Sequence, residues 1–460
     1  MAIQYQRGQK IVLLTEKMVP GGAALGRLPD GRPVFVKGGA PGEQVEIQLT
    51  RIKKDFAEEN FLSALTPSVD RVVPFYPSAA LAGANWHYLS YPAQMVAKES
   101  ILRETLSTIG KLADVAIQPI VAADQEWRYR NKIELTFGTD HEGQVALGFH
   151  VPGRFDQILP TNDVALFPEL IQAIIRAVTN WADQEQLTVY EPRRKQGVLR
   201  SLVVRRAQHA HDLLINLVTT PMSELPLTTL LDRLDAIAQT GVIWTENSSL
   251  ATIVRTDQAH LLEGVDFIDE QFLGVSLRYH VDSFFQTNTA MAEKLAKTLL
   301  TRLDAAIFDR EQTVVIDGYG GVGTFGLLAA NHGFSAISIE SHEASSLDAV
   351  QNAERLGLAN RMTFVHQPME TYLAHDAAQI TNTSVLIIDP PRAGLHPKAL
   401  QAILASPVAH VFYISCNPAT LARDLALFAA HPSAFVPTFV QPFDLFPQTP
   451  HLETLVELHR

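Results

Sequence analysis

Two polar residues in the last quarter of the sequence follow short apolar runs and are of types that can do covalent or acid–base chemistry. Cys416 follows Val-Phe-Tyr-Ile-Ser, and Asp389 follows Val-Leu-Ile-Ile. A thiolate is a nucleophile, and a carboxylate accepts hydrogen bonds or protons. If both runs are parallel strands, their carboxyl ends share the crevice in which ligands bind. Both residues are therefore candidate site residues, although a lone cysteine is more often a packing residue and an aspartate often simply ends a strand.

A glycine-rich turn offers a nucleotide site in the same region. The segment VVIDGYGGVG at 314–323 is an apolar strand followed by glycines and then a helical pattern. Glycines let the backbone approach a ligand closely beside the helix N-terminus. Glu340 ends the next apolar run, where a carboxylate can hold ribose hydroxyls. Gly318, Gly320 and Gly323 also fit GxGxxG, so this turn alone leaves both NAD and S-adenosylmethionine open.

These residues belong to a regular alternation of predicted helices and strands. From Met291 onward, segments with the apolar spacing of a helix alternate with segments typical of a strand. This alternation predicts a doubly wound parallel sheet of the α/β class. Residues 1–60 contain short apolar alternations separated by Gly and Pro, which predict a small β-barrel. Residues 126–280 mix strand and helix patterns, and residues 92–112 have helical periodicity. We therefore expect several domains in this chain.

Composition narrows the classes of function. The chain has 460 residues, a net charge of −12 and a single cysteine, which excludes an intrachain disulfide and a cysteine-ligated cluster. The histidines show no metal-binding spacing, so we predict no metal. No apolar run is long enough for a membrane helix, and the first residues do not resemble a secretory signal, so we expect a cytoplasmic protein.

Two basic segments are candidate RNA-binding surfaces. Residues 191–206 hold six basic residues and one acidic residue, and residues 127–132 interleave aromatic residues with three basic ones. Such mixtures suit phosphate contacts and base stacking. A solvated basic face is an equally good interpretation of either segment taken alone.

The sequence resembles the RNA 5-methyluridine methyltransferase family over essentially its whole length. The first 60 residues are similar to the family's TRAM domain, an RNA-binding OB-like barrel. Five later segments are similar to its motifs: SFFQTN at 283–288, VVIDGYGGVGTF at 314–325, IIDPPRAGL at 387–395, YISCNPATLARDL at 413–425 and DLFPQTPHLE at 444–453. The last three are specific, and chance agreement of all of them in this order is very improbable.

The resemblance implies a role for each matching residue. It makes Cys416 the nucleophile and Glu453 the base, with Asp389 orienting the uracil ring and Arg392 supporting either the local structure or the developing negative charge. It implies that S-adenosylmethionine is the cofactor and that a set of residues binds it: Gln286, Asp317, Tyr319, Gly321, Glu340 and Asp389. The implied reaction is methylation of carbon-5 of a uridine, which must leave its stack to reach the site.

The implied partner is RNA, with ribosomal RNA (23S) favoured over tRNA, and neither DNA nor a membrane. We expect a monomer. A tRNA uridine-5 methyltransferase is the nearest alternative, an NAD-dependent oxidoreductase is a weaker one, and a non-catalytic RNA-binding protein is a third. Titration with S-adenosylhomocysteine and with NADH distinguishes a methyltransferase from an NAD-dependent oxidoreductase.

The resemblance also implies domain boundaries and shows where this chain departs from the family. We expect a TRAM barrel at 1–65, a mixed α+β central domain at 66–91 and 121–280, and a Rossmann-like methyltransferase domain at 92–120 and 281–460. Family members often carry four cysteines that bind an iron–sulfur cluster, but the matching stretch here has none, and Asp163 stands near the fourth position. We therefore expect a cluster-free protein. Gly318 and Gly320 replace the leucine and cysteine usual in the cofactor loop.

Overall fold

The computed structural model describes residues 5–74, 83–151, 153–249, 256–305, 309–375, 380–432 and 434–460. It divides the chain into two compact units. The first unit contains Met1–Glu126, Pro391–Leu395 and Ile414–Leu458, and the second contains Trp127–Pro390, His396–Tyr413 and His459–Arg460. The predicted stretch of the missing cluster, 74–91, lies partly outside the described residues. The three-domain division remains a prediction.

The N-terminal half is rich in strands. In chain order its elements are β1 Lys10–Met18, β2 Ala24–Arg27, β3 Pro33–Val36, β4 Gln44–Ile52, β5 Ala57–Thr66, α1 Tyr91–Thr108, β6 Lys132–Thr139, β7 Val145–Val151, β8 Arg154–Pro160, α2 Ile171–Gln184, β9 Leu199–Arg206, β10 Leu213–Thr219, α3 Leu227–Leu234, β11 Gly241–Glu246, β12 Gln258–Gly264, β13 Phe267–Phe272 and β14 Val275–His280.

The C-terminal half alternates helices and strands, as the apolar periods predict. Its elements are α4 Thr289–Ala305, β15 Val314–Gly318, α5 Thr324–Asn331, β16 Ser335–Glu340, α6 Glu343–Arg355, β17 Met362–His366, α7 Met369–His375, β18 Val385–Ile388, α8 Pro397–Ala405, β19 His410–Ser415, α9 Pro418–Ala430, β20 Val436–Phe443 and β21 Glu453–His459. A 3-10 turn, Ala359–Arg361, precedes β17.

In the first unit, β1 to β5 close into a barrel in the order β1-β2-β3-β5-β4. Alternate residues of β1, β3 and β4 are buried, and the apolar ones form the core, including Val34, Val45, Ile47 and Leu49, which are fully buried. Arg71 pairs with the buried carboxylate of Glu43, the residue before β4. The OB-like barrel predicted from the Gly- and Pro-punctuated strands is confirmed.

Helix α1 packs on α9 and on the loop before β21 in the same unit. Pro92 occupies its first turn, where the missing N–H costs no helical hydrogen bond. Its buried stripe mixes apolar residues such as Ile101 and Leu102 with the polar residues Gln94 and Lys98. Those polar residues make the contacts with the loop.

In the second unit, one sheet has the order β12-β11-β10-β9-β6-β7-β8. Its pairs are antiparallel except β10 and β11, which run parallel. The other sheet places β17, β16, β15, β18 and β19 side by side in that order, all parallel. This is the sheet predicted from the alternation after Met291, and the predicted fold class is confirmed.

The strand order continues beyond β19 to β21 and then β20. The N–H of Arg460, after β21, donates to the carbonyl of Ala409, before β19, at 3.1 Å. The end of β21 therefore lies beside the start of β19, and the two strands run in opposite directions. Within the described ranges, no helix is both long and apolar enough to cross a membrane.

Candidate active site

The glycine turn after β15 is shaped by residues in left-handed backbone conformations. Tyr319 has a φ of 64°, Gly321 of 55° and Gly323 of 82°, and Gly323 is the N-cap of α5. A Cβ on Gly320 would lie 2.4 Å from the Ser338 hydroxyl oxygen, so a larger residue there needs that side chain to move. The glycine that departs from the family pattern therefore matches the packing of this chain.

Two predicted cofactor-binding carboxylates hold this turn. Glu340, at the end of β16, accepts a hydrogen bond from the N–H of Gly321 at 2.9 Å and from that of His342 at 2.6 Å. Asp317 is 1% exposed and accepts from the N–H of Gly326 at 2.8 Å. Burial raises the pKa of Asp317 to about 7, and the charge of Glu340 adds to the rise.

Asp389 follows β18 and contacts another predicted residue. Its carboxylate accepts a hydrogen bond from the side-chain amide of Gln286 at 3.1 Å. Burial and the charge of Asp317 raise the pKa of Asp389 to about 7, and the Gln286 bond opposes the rise. Asp389 nevertheless keeps some accessible surface, unlike Asp317. The structure thus brings Gln286, Asp317 and Asp389 together at one edge of the sheet.

The backbone around Gln286 is fixed by a residue that the sequence analysis did not single out. The side-chain amide of Asn131 donates to the carbonyl of Gln286 at 2.8 Å and to the hydroxyl of Thr289 at 3.0 Å. The N–H of Asn131 donates to the carbonyl of Thr287 at 2.9 Å. Asn131 is 4% exposed. It lies in the basic segment 127–132, which the sequence analysis interpreted as a candidate RNA-binding surface. The composition of that segment does not indicate that Asn131 fixes the backbone around Gln286.

The same segment turns its arginine inward. The Arg128 guanidinium pairs with both carboxylate oxygens of Asp163, at 2.6 and 2.7 Å, and donates to the carbonyls of Val164 and Phe167. Tyr129 is 2% exposed. Neither side chain is presented as an RNA-binding surface, so the structure favours a structural role for these two residues.

Cys416 lies in the first unit, between β19 and α9. It is partly exposed. Asn417 caps α9 by accepting from the N–H of Ala419 at 3.0 Å, and its side-chain amide donates to the carbonyl of Arg392 at 3.1 Å. The backbone of Arg392 is thereby tied to the residue that follows the cysteine, while its side chain is exposed and 3.5 Å from His451.

Glu453 begins β21 and is 3% exposed. The hydrogen bond between Arg460 and Ala409 sets the register of β21 against β19. Cys416 directly follows β19, and Glu453 is the first residue of β21, the next strand of the sheet. The predicted nucleophile and the predicted base therefore belong to the same unit.

The loop before Glu453 is anchored by α1. Lys98 and Asp444 form an ion pair in which neither side chain is exposed, and Tyr91 donates to the second oxygen of Asp444 at 2.7 Å. Gln94 accepts from the N–H of Gln448 at 3.0 Å and donates to its side-chain oxygen at 2.9 Å. Sequence reasoning missed these anchors, although polar residues on the apolar stripe of α1 were a signal of them.

Among the described residues, no group of three or more His, Cys, Asp or Glu side chains is arranged to hold a metal ion.

Comparison with known proteins places these motifs in a family. Residues 233–460 match the family model described as tRNA (uracil-5-)-methyltransferase, and residues 4–58 match the TRAM domain. An uncharacterized RNA methyltransferase of Chlorobaculum tepidum is 31% identical over 100% of this chain and 98% of its own length. One of Gloeobacter violaceus is 32% identical over 99% and 97%.

A solved structure has the same fold over nearly the whole chain. It is the Pyrococcus abyssi tRNA (uracil-54, C5)-methyltransferase in complex with S-adenosyl-L-homocysteine. The TM-score is 0.76 at 23% identity, covering 97% of this chain and 100% of that one.

Proposed function

The chain belongs to the RNA (uracil-5-)-methyltransferase family, and we propose that it methylates carbon-5 of a specific uridine by covalent catalysis with Cys416 as nucleophile and Glu453 as base. The observation that supports the proposal is that Cys416 directly follows β19, whose neighbour β21 begins at Glu453. The family resemblance identified in the sequence is confirmed. Family membership also removes the NAD-dependent oxidoreductase alternative.

The edge of the parallel sheet fits S-adenosylmethionine. A turn of left-handed residues allows close backbone approach, and Glu340 ends the neighbouring strand. Asp317 and Asp389 give the edge acidic groups suited to a cationic ligand. The Pyrococcus abyssi enzyme was solved in complex with S-adenosyl-L-homocysteine, the demethylated form of this molecule. We assign Gln286, Asp317, Tyr319, Gly321, Glu340 and Asp389 to its binding.

The chemistry of the two catalytic residues follows from the properties of uracil. Carbon-5 is a poor nucleophile until the Cys416 thiolate adds to carbon-6, which makes the ring an enolate. S-adenosylmethionine supplies an electrophilic methyl group when bound. Glu453 then removes the proton from the methylated carbon-5, and elimination frees the Cys416 thiolate. Asp389 orients the ring, and Arg392 supports the loop beside the cysteine.

The test separates the two residues by what each variant accumulates. Each variant is incubated with target RNA and radiolabelled S-adenosylmethionine and run on a denaturing gel. Glu453→Gln cannot remove the carbon-5 proton, so we expect labelled RNA that stays attached to the protein. Cys416→Ala cannot form the enolate, so we expect neither an adduct nor methyl transfer.

Glu354→Gln, an exposed glutamate of α6, is the matched control and should turn over normally. An adduct with Cys416→Ala, or rapid turnover by Glu453→Gln, would show that the roles are assigned wrongly.

Ribosomal RNA of the large subunit is the proposed substrate, supported by the TRAM barrel and by the sequence motifs. A tRNA substrate is the alternative, favoured by the name of the Pyrococcus abyssi enzyme. Mass mapping of both RNA pools from a strain that lacks this chain decides between them, because only the true substrate loses a methyl group. We further propose a monomer in the cytoplasm, in keeping with a single free cysteine.

A further inference from the structure

A cavity of about 820 Å³ opens on the central sheet of the second unit, apart from the cofactor edge. Its walls are the end of β6, the end of β7, strand β8, the segment before β9 and the first residues of β9. The basic segment 191–206, which sequence analysis marked as a candidate RNA surface, supplies one wall. A volume of this size accommodates a drug-sized molecule or one to two nucleotides.

The wall on β6 and β7 carries hydrogen-bonding groups. The hydroxyl of Thr136 is 3.3 Å from Nε2 of His150. Nδ1 of His150 is buried and has no hydrogen-bond partner among the residues that the structure describes. A buried polar atom without a partner is costly unless a ligand or water satisfies it. This imidazole can satisfy either a donor or an acceptor on a ligand, according to its tautomer.

The wall formed by the segment before β9 and by β9 itself contains a fixed aromatic ring. The Arg200 guanidinium lies 4.4 Å from the centre of the Tyr190 ring. Arg200 is 6% exposed and donates to the carbonyls of Asn247 at 3.1 Å and Ser249 at 2.6 Å. The ring is therefore held in place by a buried cation, and a pre-positioned ring is suited to stacking with a base.

Charge indicates which kind of nucleotide the cavity can take. Three carboxylates (Asp140, Asp156 and Glu191) and two guanidinium groups (Arg193 and Arg200) line it. The lining is net negative, which disfavours a free nucleotide with several phosphates. The exposed cations Arg194 and Lys195 lie next to the lining residues in the chain. This distribution suits a neutral base inside the cavity and a singly charged phosphate outside it.

We propose that this cavity binds one or two unstacked nucleotides of the RNA substrate, with bases inside and the backbone along Arg194 and Lys195. The proposal rests on the proposed function, since that function supplies the RNA. Single-stranded RNA is recognised by splaying bases onto aromatic side chains and hydrogen-bonding their edges. The cavity would then select the sequence or structure that flanks the target uridine.

The test removes a polar pair from the cavity without changing net charge. Arg193 and Asp156 form an ion pair at 3.0 Å, and the double variant Arg193→Ala/Asp156→Ala keeps the long-range attraction for phosphates unchanged. The probe is a fluorescein-labelled single-stranded RNA of about 12 nucleotides, followed by anisotropy. We expect its dissociation constant to rise about tenfold, with KM for substrate RNA raised and kcat nearly unchanged.

A matched pair controls for the loss of any surface ion pair. Arg310 and Asp304 form an exposed pair at 2.6 Å in the same unit, outside the cavity lining. The variant Arg310→Ala/Asp304→Ala should bind the same RNA as the wild type does. Unchanged binding of S-adenosylhomocysteine by both variants shows that the fold is intact.

Photo-crosslinking gives a second measurement that needs no variant. RNA carrying 4-thiouridine should crosslink to peptides that contain residues 136–160 or 189–201. Wild-type affinity in the cavity variant together with crosslinks only elsewhere would overturn the proposal, as would saturable ATP binding that the cavity variant abolishes. If the enzyme methylates no uridine but the cavity variant still loses RNA affinity, the cavity assignment stands and the proposed function fails.

Discussion

Two buried carboxylates, one in each unit, are handled in opposite ways. In the first unit, Asp444 is fully buried and paired with the equally buried Lys98, and Tyr91 donates to its second oxygen. In the second unit, Asp317 is 1% exposed and accepts from the N–H of Gly326, and among the described residues no lysine or arginine pairs with it. One charge is neutralised by a side chain, and the other is not.

Pairing with Lys98 suits Asp444 to anchoring a loop, whereas Asp317 has no cationic partner among the described residues. The Lys98–Asp444 pair holds the loop that leads into Glu453, and a neutralised pair gives that loop one stable arrangement. Burial lowers the pKa of Lys98, and the Asp444 carboxylate opposes that shift. Asp317 lacks such a partner, so burial raises its pKa to about 7. A buried carboxyl group with a raised pKa is a candidate for a functional site.

The largest expected effect comes from breaking the neutralised pair. Lys98→Met leaves the Asp444 carboxylate buried without its cation, so the free energy of unfolding should fall by about 3–5 kcal/mol. Urea denaturation monitored by circular dichroism measures the loss. Turnover should fall as well, because the loop before Glu453 loses its anchor.

Two further variants show whether burial is the cause. Lys98→Met/Asp444→Leu removes both charges and should recover much of the stability. Lys17→Met breaks the ion pair with Glu104, whose side chains are 41% and 47% exposed, and should cost less than about 1 kcal/mol. If Lys98→Met cost no more than Lys17→Met, the buried pair would not be the anchor described.

The second effect concerns the dependence of stability on pH. The pKa of Asp317 is about 7 in the folded protein against an ordinary value of 3.8. Between these values the folded state holds a proton that the unfolded state lacks, so stability falls as pH rises from about 4 to about 7. A pKa shift of about three units lowers the free energy of unfolding by roughly 4 kcal/mol at most over this range.

Asp317→Asn removes this titration. The free energy of unfolding of the variant minus that of the wild type should be larger at pH 8 than at pH 4.5, by about 2–4 kcal/mol. Urea denaturation at both pH values measures it. Asp232→Asn, an exposed residue of α3, should show no such difference. Parallel pH profiles for Asp317→Asn and the wild type would mean that the buried carboxyl group does not titrate near neutrality.

The anchors of Glu453 mark the limit of what the sequence reveals. Strand ends predicted the positions of Asp389 and Cys416, because a parallel sheet gathers the carboxyl ends of its strands at one edge. Gln94 and Gln448 are 354 residues apart, and a hydrogen bond over that separation leaves no local pattern. The inward turn of Arg128 was equally hidden, since composition does not distinguish a surface arginine from one paired with Asp163. Helix α9 and strand β20 also went unpredicted.

The smallest effect tests the remaining carboxylate of the cofactor edge. Glu340 is half-buried and accepts from the backbone N–H groups of Gly321 and His342. It therefore shapes the turn as well as offering a charge to a ligand. Loss of a hydrogen bond to a charged group costs about 1–3 kcal/mol.

Glu340→Ala should accordingly weaken binding of S-adenosylhomocysteine by about 1–3 kcal/mol in isothermal titration calorimetry. Glu340→Gln keeps an oxygen acceptor for Gly321 but lacks the negative charge. It should lose less affinity than Glu340→Ala if the shape of the turn matters most, and as much if the charge does. Glu343→Ala, an exposed neighbour in the first turn of α6, should bind as the wild type does. Equal affinity of Glu340→Ala and the wild type would remove Glu340 from the cofactor site and leave Asp317 and Asp389 as its only acidic groups among the residues assigned to it.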